Sequence, residues 1–396
     1  MVSLRQWQEE AFEKWWESKR GIVSVVTGGG KTIFAIYCFD RFRDRYPSSK
    51  LLVIVPTLAL LDQWVVTLEC DLGLRPEQIG TYSGESRAQQ PAVANVAVLN
   101  TARTLVHELT KTGTWMLVVD ECHRVGSPVN AKALEGQFVA TLGVSATPQR
   151  EYDEGFSEYI EPALGPVIFE YDYADARRDG VIASFELHNI RFPLTHSERS
   201  EYEELSRRVR RAYARHQRQP SEESQYGIEA LLRKRAGVSL SAKWRVPTAV
   251  AALERARGKA IVFHERIKAA EQISHLLNQR NRRSTTYHSR VYGPTRRGRL
   301  RQFRMGIYDT LVTCRSLDEG LNVPDASIAM LVASSRSTRQ RIQRLGRVLR
   351  ASNPQKTATV ITLYATEAEQ RQLEKEAKHL GEVARIRWFE AGRKNA

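Results

Sequence analysis

The 396-residue sequence is poor in cysteine, with only Cys38, Cys70, Cys122 and Cys314, and no two of them form a CxxC pair. That scarcity argues against a disulfide framework or a zinc knuckle and fits a reducing compartment. A cytoplasmic setting is expected, nucleoid-associated if the source is bacterial. Long apolar runs are also lacking. The longest, Leu51–Leu61, is interrupted by Pro56 and is far short of the roughly 20 residues a bilayer-spanning helix needs. The first residues carry Glu9 and Glu10 and no apolar core, so they do not read as a signal peptide. There is no short-period repeat and no low-complexity tract. Acidic residues are in deficit, with 45 Asp and Glu against 60 Lys and Arg and a net charge of +15. A polyanionic partner follows, nucleic acid ahead of an anionic membrane surface, since no amphipathic or anchoring segment supports the latter.

What is present is an ordinary globular composition, 42% hydrophobic and 27% charged, long enough for two or three domains. Short runs rich in Val, Ile and Leu at Gly21–Val26, Leu51–Val55, Val93–Leu99 and Leu117–Val119 read as buried strands. Helical patterns lie between them, at Lys31–Arg45 and Leu58–Leu68. The alternation predicts a parallel sheet covered on both faces. It returns at Ala260–Phe263, Thr310–Thr313, Ser327–Val332 and Thr359–Leu363, with a helix over Ile267–Gln279. The fold class is therefore α/β with two parallel-sheet halves. Between them, 195–245 lacks strand signals and reads as a helical insertion. Thr195 and Glu198 have capping-box spacing, Tyr202, Leu205, Val209 and Tyr213 recur at helical spacing, and Arg207, Arg211, Arg215 and Arg218 fall on another face. That face is either solvated or a phosphate-contacting arm.

The strand Gly21–Val26 runs into Thr27-Gly28-Gly29-Gly30-Lys31-Thr32. A glycine run between strand and helix lets backbone N–H groups close around phosphate oxygens, aided by the helix dipole. Lys31 can reach the β- and γ-phosphates of ATP, and the Thr32 hydroxyl can ligate Mg2+. Val25 stands where the full phosphate-loop spacing wants another glycine. The strand at Leu117–Val119 delivers Asp120-Glu121-Cys122-His123. Asp120 is suited to hold the metal and Glu121 to orient and deprotonate the attacking water. Ser145-Ala146-Thr147-Pro148 follows the apolar stretch at 141–144. Near the end, Gln343-Arg344-Leu345-Gly346-Arg347-Val348-Leu349-Arg350 spaces arginines three apart, able to neutralise charge on a transferring phosphoryl group.

The ordered set LRQWQ (4–8), TGGGKT (27–32), PTL (56–58), DECH (120–123), SATP (145–148), DEGLNVP (318–324) and QRLGRVLR (343–350) resembles superfamily 2 helicases of the DExH type. VIVPTLALLDQW (53–64) is especially similar to XPB-like helicases and to restriction-enzyme motor subunits. The resemblance implies two RecA-like domains, expected at 1–170 and 171–396 with the insertion inside the second, and ATP hydrolysis between them. By motif position it implies that Gln8 reads adenine and that Gln343 joins the loop residues in the nucleotide set. Arg347 and Arg350 become arginine fingers. His123, Ser145 and Thr147 couple nucleotide state to polymer grip. Pro56, Thr57, Gly84, Thr101 and Thr313 become backbone contacts. Asn322 departs from the aspartate common in the family.

The densest basic tract, 280–304, holds nine arginines and no acidic residue or lysine, and 201–245 adds a net +5. Phosphate contact is expected from a subset of the first tract, with Arg296 and Arg297 the pair singled out. Tyr287, Tyr292 and Trp244 are candidates for stacking. Since the first motif starts at residue 4 and only 46 residues follow Arg350, a nearly bare motor is expected, with protein partners in a repair, restriction or phage-defence assembly supplying targeting or nuclease activity. The leading reading is an ATP-dependent helicase or translocase. The XPB-like stretch tilts it toward DNA. A nucleic-acid-stimulated ATPase clamp and an RNA helicase are the alternatives.

Overall fold

The computed structural model describes residues 4–26, 28–146, 154–181, 185–314, 326–333, 357–380 and 384–391. The chain divides into two compact units. One is Met1–Ile182 with Val291–Arg301; the other is Ala183–Arg290 with Gln302–Leu317 and Pro324–Ala396.

The first unit is built on β1 (Arg20–Val25), β2 (Lys50–Val55), β3 (Ile79–Tyr82), β4 (Ala94–Val98), β5 (Trp115–Asp120), β6 (Ala140–Ser145) and β7 (Val167–Tyr171). All pair in parallel in the order β3-β4-β2-β5-β6-β1-β7. Apart from the terminal Lys50 of β2 and Asp120 of β5, these two central strands are apolar at every position because both faces are covered. Leu51, Val53, Val55, Met116 and Val118 pack into one core, while Leu52, Ile54, Leu117 and Val119 pack into the other. This two-residue alternation is what a pleated strand imposes.

The second unit carries β8 (Phe185–Arg191), β9 (Ala260–His264), β10 (Ser284–Tyr287), β11 (Thr310–Cys314), β12 (Ile328–Ala333), β13 (Ala358–Tyr364) and β14 (Ala384–Glu390). Its order is β10-β11-β9-β12-β13-β8-β14, again parallel. Adding seven to each strand number of the first sheet gives the second, so both sheets wind identically.

In the first sheet β1 leads to the glycine loop and the helix Lys31–Arg45. In the second, the equivalent strand β8 leads to the helices His196–Arg218 and Glu222–Leu240. The capping box forms as expected: Glu198 Oε2 accepts from Thr195 N at 2.8 Å and Thr195 Oγ1 accepts from Glu198 N at 3.3 Å. Leu205 and Val209 are buried, whereas Tyr213 is 46% exposed and stands apart from the packed row. Arg245, at the start of the next helix, is 2% exposed. It donates to Ser239 O at 2.8 Å, Leu363 O at 3.2 Å and Glu369 Oε1 at 2.8 Å, tying the insertion to β13.

Candidate functional site

In open parallel sheets, ligands bind outside the carboxyl ends of the strands. The first sheet places its chemistry there, on the neighbouring strands β5, β6 and β1. Gly30 caps the helix Lys31–Arg45 in the left-handed region at φ 112 and provides no side-chain cap, so the first N–H groups of that helix have no capping side chain. A Cβ at Gly30 would lie 2.9 Å from Gln8 Nε2, and one at Gly29 would lie 2.4 Å from Val25 Cγ1. Glycine is required at both positions, and Val25 occupies core space rather than the loop. Gln8 is 2% exposed. Its Nε2 donates to Gly30 O at 3.1 Å and its Oε1 accepts from Arg5 N at 2.9 Å, joining the first helix to the glycine loop.

Lys31 opens the helix and Thr32 follows in its first turn. Lys31 Nζ is buried without a hydrogen bond. Its nearest carboxylate oxygen is Glu121 Oε1, at 3.5 Å. Asp120 ends β5. Its Oδ2 accepts from Trp64 Nε1 at 2.8 Å and its Oδ1 from Glu121 N at 3.0 Å. Burial, and then the neighbouring Glu121 charge, push the Asp120 carboxyl up to about 6. Glu121 moves the other way. Burial acts to raise it, but Lys31, His123 and Arg124 together outweigh burial and hold it below the usual carboxylate range. Its backbone sits at φ 52, an uncommon conformation for a non-glycine residue and one associated with functional sites. His123 Nδ1 lies 3.0 Å from Ser145 Oγ at the end of β6 and 3.5 Å from Glu121 Oε2. The four residues Lys31, Glu121, His123 and Ser145 thus form one chain of contacts across three strand ends. Burial pushes the Cys122 thiol up to about 12, which leaves it an inert packing group.

A buried lysine without a hydrogen bond, beside a glycine cradle and an acidic pair, fits a polyphosphate with Mg2+. Among the described residues no group of three or more His, Cys, Asp or Glu is gathered to hold a metal. Asp120 offers one carboxylate, and magnesium is commonly held by one or two carboxylates plus substrate phosphates. Sequence reasoning gave Trp64 no role. It sits in the motif-bearing stretch 53–64, and only its indole hydrogen bond to Asp120 reveals its function.

The backbone-contact candidates of this unit occupy the other half of the same edge. Pro56 and Thr57 follow β2, Gly84 follows β3 and Thr101 follows β4. Thr57 Oγ1 caps the helix Leu58–Asp71, accepting from Leu60 N at 3.4 Å, and Gly84 is exposed with open space where a Cβ would stand. Thr101 is half-buried in the first turn of its helix. Thr313 is buried near the end of β11 in the second unit.

The arginine tract 280–304 is not the open cationic surface its composition suggested. Arg296 is 3% exposed, donates to Asp62 and reaches Glu85 Oε2 at 3.2 Å; Arg297 Nη1 lies 3.4 Å from Asp62. Arg301 pairs with Glu69. Arg280 pairs with Glu254 at 2.7 Å and Arg283 with Asp309 at 2.8 Å. Arg282 donates to Ala256 O at 2.6 Å and Gly258 O at 2.9 Å. The tract looked uncompensated because the acids facing Arg296 and Arg301 lie more than 200 residues earlier. Of the stacking candidates, Tyr287 is buried, while Tyr292 is 74% and Trp244 45% exposed. Thr27, Thr147, Asn322, Gln343, Arg347 and Arg350 lie outside the described residues.

Comparison with known families now bears on this geometry. The profile described as "Type III restriction enzyme, res subunit" matches residues 1–150, and that described as "Helicase conserved C-terminal domain" matches 244–352. The two helicase-associated profiles thus match on either side of the helical insertion, in line with the resemblance carried by the motifs. Among its relatives, the DNA 3'-5' translocase XPB2 of Sulfurisphaera tokodaii is 26% identical, over 88% of this chain and 79% of its own length. The DNA 3'-5' helicase XPB of Kineococcus radiotolerans is 25% identical, over 93% and 60%. The chain spans about half the length of the Rad25 relatives it matches in Haloarcula marismortui and Halobacterium salinarum, 54% and 55%. Among solved structures, the Hef helicase domain of Pyrococcus furiosus superposes with a TM-score of 0.53 at 16% identity, covering 94% of this chain and 98% of its own. Dbp5 of S. cerevisiae, bound to RNA and ADP BeF3, superposes with a TM-score of 0.60 at 12% identity, covering 98% and 90%. The helicase fold, with two RecA-like sheets, is the one expected from sequence.

Proposed function

We propose that this protein is a helicase-type, ATP-hydrolysing motor that moves along or separates DNA. The observation that carries this reading is the buried Lys31 ammonium beside Glu121, under a glycine loop and next to Asp120, on three adjacent strand ends. Lys31 would leave Glu121 for the β- and γ-phosphates of ATP, and that exchange frees the Glu121 carboxylate. Glu121 then orients a water, which attacks the γ-phosphorus as its proton passes to the carboxylate. The bond to the bridging oxygen breaks and ADP departs. Thr32 and Asp120 would hold Mg2+, which when bound would supply charge neutralisation on the phosphate oxygens. Gln8 holds the loop in shape and stands ready for the adenine edge. The His123–Ser145 contact links the hydrolytic carboxylate to the β6 end, a route by which nucleotide state could reach the polymer-facing half of the edge. Arg347 and Arg350, which lie outside the described residues, are the arginine-finger candidates that the motif resemblance supplies.

DNA is favoured over RNA because the XPB and Rad25 relatives are named for DNA. The relatives from Antonospora locustae and Encephalitozoon cuniculi are named as subunits of a general transcription and DNA repair factor, which supports work within a larger assembly. The test is ATP turnover with no polymer, single-stranded DNA, duplex DNA and RNA. Stimulation by DNA is the expected result, and displacement of an annealed strand or of a triplex-forming oligonucleotide then separates unwinding from translocation. Stimulation by RNA alone would overturn the choice of DNA.

A further inference from the structure

A cavity of about 890 Å3 lies at the carboxyl ends of β13, β8 and β14. By the shared winding, these strands are the counterparts of β6, β1 and β7 in the first sheet. The cavity therefore occupies the position where the first sheet carries its glycine loop. The second sheet has no such loop, and the insertion helix His196–Arg218 forms the wall instead.

Five arginines line the cavity: Arg191 from the end of β8, Arg199, Arg207 and Arg210 from the insertion helix, and Arg235 from the next helix. None has a carboxylate partner among the described residues, in contrast to the tract 280–304. A sixth, Arg371, is paired with Glu367 at 3.1 Å. Glu203 and Glu390 also reach the lining, which leaves it net positive. Ser206, between two of the arginines on the same helix, lines the cavity with its Oγ buried and without a hydrogen-bond partner. Unsatisfied donors and unpaired guanidiniums around one void call for an anion with several oxygen acceptors. Tyr202, the aromatic on the helix wall, has the Arg235 guanidinium 5.7 Å from its ring centre, so the wall is suited to phosphates rather than to stacked bases.

We propose that this cavity is a second phosphate-binding site, distinct from the ATP loop, which takes a chain of phosphates without reading bases. The phosphates would come from a polynucleotide strand or from a free polyphosphate; the strand case rests on the motor reading above, and the free-anion case does not.

The experiment uses the full chain in a Lys31→Ala background, which silences the first phosphate site. Binding of a labelled 20-nucleotide oligo-dT and of inorganic tripolyphosphate is measured for the parent, for Arg207→Glu with Arg210→Glu, and for the charge-matched control Arg215→Glu with Arg218→Glu on the same helix but outside the cavity. A thermal melt checks folding, and the Gln pair at 207 and 210 serves if the Glu pair unfolds. The expected result is at least tenfold weaker binding for the cavity pair and little change for the control. If the strand is the ligand, its affinity weakens and the salt slope falls by about 1.4, as for two lost phosphate contacts on single strands. If tripolyphosphate alone weakens, the free anion is the ligand. Unchanged affinity for both probes, or an equal loss in the control pair, overturns the proposal. Failure of the motor reading looks different: ATP hydrolysis would survive Lys31→Ala while the cavity still bound tripolyphosphate.

Discussion

The two sheets of this molecule are wound alike and equipped differently. Behind β1, six residues of glycine, lysine and threonine make a phosphate cradle; behind the equivalent β8, some seventy residues of arginine-rich helix intervene before β9 begins. On the first edge the buried charges face one another across strand ends, Lys31 against Glu121 at 3.5 Å, and the Lys31 ammonium makes no hydrogen bond. On the second edge the buried charge is Arg245, which is fully engaged by backbone carbonyls and Glu369. The same topology thus supports a reactive edge and one that is structural at Arg245 and open at the cavity arginines. Chemistry follows the loop grafted onto the sheet, not the sheet.

The sharpest way to break this contrast is to remove the reactive carboxylate. Glu121→Gln should lower ATP turnover by roughly 10²–10³-fold or more while nucleotide binding persists, since charge stabilisation and water activation of this kind carry effects of that order. Steady-state turnover beside equilibrium nucleotide binding separates the two. On the structural edge, Arg245→Leu leaves Glu369 without its partner and should destabilise the second unit by about 3–5 kcal/mol, read from chemical denaturation. Glu369 also carries a pH consequence. Burial acts to raise its carboxyl, but Arg245 and its hydrogen bonds outweigh that and hold it below the usual range. Its contribution to stability is therefore present above the unfolded-state value and is lost as pH falls through the depressed folded value.

A smaller effect sharpens the first edge. The Asp120 carboxyl, at about 6, is protonated below that pH and cannot then serve as a metal ligand. Protons should therefore compete with Mg2+, so the acid limb of turnover measured at limiting Mg2+ should lie near pH 6 and move to lower pH as Mg2+ is raised. The Trp64 hydrogen bond acts to lower the Asp120 value, so Trp64→Phe should move that limb to higher pH. Smaller still is the insertion cap. Thr195→Ala should cost about 1 kcal/mol, visible as a shift in the denaturation midpoint without loss of turnover.

How much of this the sequence disclosed depends on whether each feature is local or distant along the chain. Strands β1, β2, β4, β5, β9, β11, β12 and β13 carry apolar runs that anyone can read, because both faces are buried. The edge strands β3, β7, β10 and β14 were missed as elements, as was the internal strand β8, whose apolar residues alternate with polar ones. Ser284–Tyr287 and Ala384–Glu390 mix polar and charged residues with apolar ones, and β14 and β7 are exposed on part of their length. The nucleotide site was legible because each of its parts is a short motif at a strand end. The state of the arginines was not. Nothing local in 280–304 shows that Asp62, Glu69 and Glu85 wait more than 200 residues earlier, and nothing in 195–245 shows which arginines go unpaired. The net charge of +15 is thus divided by tertiary structure into arginines that hold the fold and arginines that remain open.

The most direct test of the reactive edge compares ATP hydrolysis by the wild-type chain and by Lys31→Ala, each with and without saturating single-stranded DNA. The account predicts DNA-stimulated turnover in the wild type and none above background in the variant. Hydrolysis that survives Lys31→Ala, independent of polymer, would contradict it.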